Sequence, residues 1–149
     1  MALKSDRYEL QTDISFFYND GTATRGGVVC HDTTAGSGAS MDQGVNLVKY
    51  ATTGVPVGVL LNDVVNKDLT RTHLNQFKDE VQKGGKVTVL RKGYVVTNNI
   101  TGNPSAGDDA YRCTLNAGNF STVASGNKVG AFLTSEDEDG YAKVEVNLP

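Results

Sequence analysis

From Lys86 to Pro149 the chain alternates short β-type runs with turn clusters, and this stretch most limits what it can fold into. Lys86–Lys92 and Tyr94–Asn98 are rich in β-branched and aromatic residues and are parted by Gly93. Asn99–Asp108 is a turn-rich connector, and Ala110–Leu115 alternates with Tyr111, Cys113 and Leu115 on one side. Lys128–Leu133 and Tyr141–Leu148 pair most simply as a hairpin across the acidic turn Ser135–Gly140. Strands at such short spacing predict a barrel or sandwich.

The same pattern extends toward the N-terminus. In residues 7–18, Tyr8, Leu10, Thr12, Ile14, Phe16 and Tyr18 fall on one side of an extended chain, with Arg7, Glu9, Gln11, Asp13 and Ser15 on the other. Period-two alternation of this length predicts a half-buried strand. It stops at Asn19-Asp20-Gly21, where glycine supplies turn geometry. The strand either belongs to the main sheet or lies as an arm across a neighbouring molecule. Gly26–Cys30, Val45–Tyr50 and Val55–Leu61 read as further strands, with Pro56 near the start of its run where a missing donor is tolerated. Asp32–Ser40 is small and polar and reads as a mobile loop. Asp68–Gln82 is the one candidate helix, with Leu74, Phe77 and Val81 as a thin apolar stripe and Gly84-Gly85 to end it; the alternative is a long irregular excursion over the surface. About nine strands are expected in all.

The chain has 149 residues, 38% hydrophobic, with 17 glycines and no tryptophan. That length suits one domain, and that composition suits a loop-rich β protein or one that completes its core by assembling. The net charge of −3 gives no global case for nucleic-acid binding. Charge is nevertheless uneven. Residues 67–92 hold seven Lys or Arg against three acids, and residues 136–149 hold five acids against one Lys. These are either ordinary solvated faces or complementary contact patches between subunits. Met1–Arg7 lacks an apolar signal region, and no run is long enough to cross a bilayer as a helix. Cys30 and Cys113 are therefore expected as free thiols, and the sequons at Asn99 and Asn119 as chance matches.

Chemistry finds little purchase. If Gly140 takes the glycine position of a calcium loop, the first and last ligand positions fall on Ser135 and Val146, and neither suits. There is no Cys/His cluster with zinc spacing, no Gly-x-Ser-x-Gly elbow and no phosphate-binding loop. His31 and His73 have no partner in sequence. Lys78, Lys83, Lys86, Arg91 and Lys92 form a basic run near only two rings, Phe77 and Tyr94, too few for a single-strand binding platform. No catalytic residue, metal ligand or cofactor-binding residue is assigned.

In order, the motifs Gly54-Val-Pro-Val-Gly-Val-Leu60, Lys86-Val-Thr-Val-Leu-Arg-Lys-Gly93, Ala106-Gly-Asp-Asp-Ala-Tyr111, Lys128-Val-Gly-Ala-Phe-Leu133 and Gly140-Tyr-Ala-Lys-Val-Glu-Val146 resemble the head decoration, or capsid cement, proteins of tailed double-stranded DNA phages. The resemblance covers residues 54–149 and leaves the first 45 outside it; the excursion Asp63–Gly85 is longer than the family pattern. It implies a non-enzymatic, all-β protein, a small β-barrel or β-tulip-like domain over 26–149, with an extended N-terminal arm or strand over 1–25 and at most one short helix. It further implies binding to the outer capsid surface of the virion after assembly in the host cytoplasm. There the protein would cement neighbouring major capsid protein subunits and self-associate as a trimer rather than a dimer, with no direct nucleic-acid or membrane partner and no cofactor. The interface is expected at Tyr8, Leu10, Ile14, Phe16 and Tyr18 of the N-terminal strand and at Lys83, Lys86 and Arg91 of the basic run. The alternative is a virion-surface module that binds carbohydrate or a receptor. A trimeric β enzyme of nucleotide metabolism is disfavoured, because Asp137–Tyr141 is not joined by a phosphate-binding glycine motif.

Overall fold

The computed structural model describes residues 3–33, 47–65 and 80–148. Twelve strands and no helix occur among the described residues. They are β1 (Tyr8–Tyr18), β2 (Val28–His31), β3 (Leu47–Tyr50), β4 (Pro56–Leu60), β5 (Asp63–Val65), β6 (Glu80–Gln82), β7 (Lys86–Thr97), β8 (Ile100–Thr101), β9 (Asp109–Arg112), β10 (Phe120–Ser121), β11 (Lys128–Phe132) and β12 (Ala142–Asn147).

The long strand β7 organises the others. Along one edge it pairs antiparallel with β1, from Tyr8 opposite Tyr94 to Phe17 opposite Lys86. Its other edge is divided. Val89 and Leu90 pair with β4, and Lys92–Thr97 pair with β12. Following the first half round, β4 pairs with β2, β2 with β3, and β3 runs parallel to the end of β1. The five strands β1-β3-β2-β4-β7 thus close a ring. From the second half the sheet continues through β12, β11, β9, β10 and β8. The two-residue β8 lies within the turn-rich connector Asn99–Asp108. β5 and β6 form a separate parallel pair, tied to the main body by a bridge between Ala23 and Val64.

Two hydrophobic cores follow from this shape. One gathers Phe16, Tyr18, Val29, Val48, Val57, Leu60, Val87 and Val89. The other gathers Val28, Val59, Leu90, Val95, Phe120, Phe132, Val144 and Val146. The pairs Val28/Val29, Val59/Leu60 and Val89/Leu90 each send one side chain to either core. β2, β4 and the middle of β7 are therefore a wall buried on both faces. This explains why Pro56–Leu60 is apolar throughout rather than alternating. Gly58 is needed there because a Cβ would strike the Leu90 carbonyl oxygen.

Three expectations change. Gly93 does not separate two strands. It lies inside one twelve-residue strand, opposite a bulge at Leu10 of β1, with φ +141° and the Tyr8 carbonyl in the space a side chain would need. The C-terminal end of the expected helix, Glu80–Gln82, is β6, while the rest of that segment lies outside the described residues, as do His73 and most of the expected loop. The alternation expected over Ala110–Leu115 does not set burial: Ala110, Arg112 and Cys113 are all buried and Tyr111 is half-buried. The Arg112 guanidinium reaches the Thr52 carbonyl, so its burial satisfies a backbone acceptor.

Candidate interaction surface

β1 does not keep its apolar residues on one face. Against β7 the register shifts three times: β1 carries an extra residue between Glu9 and Gln11 and another between Asp13 and Phe16, and β7 carries the extra residue, Arg91, opposite Gln11 and Thr12. Each extra residue reverses the side-chain alternation beyond it. Phe16 and Tyr18 enter the core at 5% and 1% exposure, whereas Tyr8, Leu10 and Ile14 stand 54%, 65% and 64% exposed. The five expected interface residues of this strand therefore separate into two core and three surface side chains.

Across the sheet, strand register sets Tyr8 beside Tyr94, Tyr94 beside Glu145, Glu145 beside Ala131, and Ala131 beside Asp109. The Tyr8 and Tyr94 rings are stacked, with centroids 6.0 Å apart and planes at 24°. Lys143 Nζ sits 3.8 Å from the Tyr94 ring centroid, a cation–π contact that further fixes this ring. A depression of about 390 Å³ opens among Tyr8, Leu10, Tyr94, Leu133, Glu145 and Asn147. A second, of about 280 Å³, shares Glu145 and Asn147 and continues to Lys128 and Ala131. Lys128 is paired with Asp109 at 3.1 Å. This trough was only half legible in the sequence. The alternation of Lys143, Glu145 and Asn147 against Val144 and Val146 marks an outward face, but nothing local says which strands lie beside it.

Of the basic residues, Lys83 and Lys86 are exposed in the turn before β7 and at its first residue, and Lys86 Nζ lies 5.8 Å from the centre of the Phe17 ring. Arg91 is half-buried near Asp13, whose carboxyl is held below its usual range chiefly by hydrogen bonds from Ser15, with a smaller contribution from Arg91. The acidic turn lies at the far end of β7, beyond the pairing of Thr97 with Ala142. At about 3.3 Å per residue, the length of β7 puts the two charged regions on the order of 36 Å apart. The turn is internally satisfied. Asp137 Oδ1 accepts hydrogen bonds from the Tyr141 and Asp139 amides at 2.9 Å each, and Lys4 Nζ lies 3.6 Å from Oδ2. These contacts, led by the Tyr141 amide, hold the Asp137 carboxyl below the usual range.

Among the described residues no group of three or more His, Cys, Asp or Glu side chains is placed to hold a metal ion. No helix among them is long and apolar enough to cross a membrane. Cys30 and Cys113 are both buried and unbridged. His31 packs against Phe16, with ring centroids 5.9 Å apart.

The ring, the attached sheet and the broad outward face define a small all-β protein. The family model of structural cement proteins, typified by E217 gp24 and Pam3 gp6, matches residues 5–147, and the chain belongs to that family of phage structural proteins. The match takes in β1, which the sequence motifs did not reach. No curated protein matches the chain.

Proposed function

We propose that this protein binds the outer surface of an assembled capsid and bridges neighbouring major capsid protein subunits, acting by contact and not by catalysis. The observation that carries this reading is the grouping of Tyr8, Leu10 and Leu133, at 54%, 65% and 41% exposure, around one depression on the outward sheet face of a cement-family chain. Exposed apolar side chains gathered into one patch, unlike those scattered singly, mark contact surfaces. Ile14, Lys83, Lys86 and Arg91 extend the contact, and the bridging form is a trimer in preference to a dimer. The protein assembles on the shell in the host cytoplasm, with no nucleic-acid or membrane partner of its own. A site divided between neighbouring subunits exists only on the assembled shell, so binding stabilises the shell by mass action. The gain is roughly 2.7 kcal/mol per site at a hundredfold excess over the dissociation constant.

The test is heat release of DNA from shells with and without the chain. Shells lacking it rupture at lower temperature, and adding the purified chain restores them. Equal rupture temperatures at full occupancy remove the cementing role. The second reading, a carbohydrate- or receptor-binding module, draws on the stacked Tyr8–Tyr94 pair beside Glu145 and Asn147, which offers a ring face next to hydrogen-bonding groups.

A further inference from the structure

The ring closes at a short seam between β1 and β3, where two register pairs, Phe17 with Leu47 and Tyr18 with Val48, join the strands. One residue further on, the Asn19 amide nitrogen donates to the Val48 carbonyl at 2.9 Å, so Asn19 and Lys49 leave the seam as neighbours. Asp32 meets both. Its amide nitrogen donates to the Leu47 carbonyl at 2.9 Å, which fixes it just past the end of β2. Asn19 Nδ2 donates to Asp32 Oδ2 at 3.0 Å, and Lys49 Nζ lies 3.8 Å from Oδ1. The Asp32 side chain is only 2% exposed, against 34% for Lys49. A carboxylate accepts and does not donate, so the nitrogen of the Asn19 side chain must be the atom facing it. An amine, a carboxamide and a buried carboxylate that touches both thus converge in one place. The cleft of about 540 Å³ beside Asp32 and Lys49 is open to solvent.

We propose that Asn19 and Lys49 become joined by an intramolecular amide bond, with Asp32 moving the protons. Asp32 takes a proton from the Lys49 ammonium. The neutral Nζ attacks the Asn19 side-chain carbonyl carbon, and a C–N bond forms. Asp32 returns the proton to Nδ2, the old C–N bond breaks, and the surplus proton left on the attacking nitrogen passes through Asp32 to the released ammonia, which leaves through the cleft as ammonium. No oxidant or co-reactant is consumed. The carboxamide is the electrophile because the anionic Asp32 resists attack. Holding the groups together replaces a bimolecular encounter, an advantage worth effective molarities on the order of 10⁵–10⁸ M in well-oriented cases. Proton transfer by a positioned carboxylate adds roughly 10²–10⁴-fold. The bond would lock covalently a seam that only two register pairs join.

The experiment is the intact mass of the full chain under denaturing conditions, both purified and recovered from particles. The expected value is about 17 Da, one ammonia, below the sequence mass. Digestion with trypsin should yield residues 8–25 joined to residues 26–67, because Lys49 is no longer a cleavage site. Lys49→Arg and Asp32→Asn should retain full mass while keeping the β-sheet circular dichroism of the parent. An unshifted parent mass in both samples overturns the proposal, whatever the variants do. So does a loss of about 17 Da without joined peptides, which marks a succinimide, or a loss of about 18 Da, one water, which moves the bond onto Asp32.

Discussion

Neighbouring side chains of this protein take opposite roles, and substitutions should separate them. Phe132 is fully buried and meets Phe120 edge-on, with centroids 6.5 Å apart. Phe132→Ala is expected to cost about 3–5 kcal/mol in denaturant unfolding, since it removes burial and leaves a cavity. Leu10→Ala with Ile14→Ala should change stability by only about 0.5 kcal/mol, as surface changes usually do, yet lower occupancy on capsids in a sedimentation assay. Titration separates residues as well. Burial raises the Tyr18 phenol to about 12 and the Cys30 thiol to about 11. Both folded-state values lie above the unfolded ones, so their contribution is complete below about pH 9. It falls as pH climbs through the range 9–12. Thermal midpoints should thus hold to about pH 9 and decline beyond it, and Cys30→Ala should flatten the early part of that decline. Cys113 behaves differently. Burial raises its pKa, but hydrogen bonds from the Asn116 and Leu115 amides and the Thr101 side chain, together with the Arg112 charge, leave it below the usual thiol value.

At the scale of elements, β1 is the informative case. Its existence and length were legible, because eleven residues of alternating character can be little else. Its side-chain directions were not, because bulges arise from how β1 meets β7 and leave no local signature. β4, the β11–β12 hairpin and the acidic turn were legible for the same reason β1 was: their pattern and turn chemistry are local. The path of β7 through Gly93 was not legible, since a glycine that ends a strand and one that lets a neighbouring carbonyl approach look identical in sequence. The interface residues divided likewise: exposure of Tyr8, Leu10 and Ile14 against burial of Phe16 and Tyr18 depends on those bulges. Two predictions belong here. Gly93→Ala should destabilise by about 1–3 kcal/mol, the usual range for a side chain forced into such backbone geometry, readable as a lower denaturant midpoint. Deleting residues 2–18 should abolish cooperative unfolding altogether. The truncation removes a whole edge partner of β7 together with Phe16 and Tyr18 from one core. A truncated chain that still unfolds cooperatively would mark β1 as a detachable arm.

For the molecule as a whole, charge is arranged along its length. Lys83 and Lys86 lie at the start of β7, and Glu136–Asp139 lie beyond its end. Exposed charges at this spacing are screened within a Debye length of about 8 Å at physiological salt. They therefore act on partners and not on each other. Capsid affinity is expected to fall as salt is raised from 0.05 to 0.5 M, on the order of a few-fold, with most of the loss in the association rate. Lys83→Glu with Lys86→Glu should remove most of that salt dependence.

The divided edge of β7 also has a mechanical meaning. An expanding shell pulls its subunits apart sideways, so anything bridging them is loaded in tension. Where that tension runs along β7, the strand cannot peel away one bond at a time, because β1 grips it from Lys86 to Tyr94 on one side while β4 holds Val89 and Leu90 and β12 holds Lys92–Thr97 on the other. The rows must slide together, which is the loading direction in which a sheet yields last. Tension across β7, prising β12 away, would meet only one pair at a time. A cement built on such a strand is strong along one axis and weak along another, and its orientation on the lattice decides which pressure it can withstand.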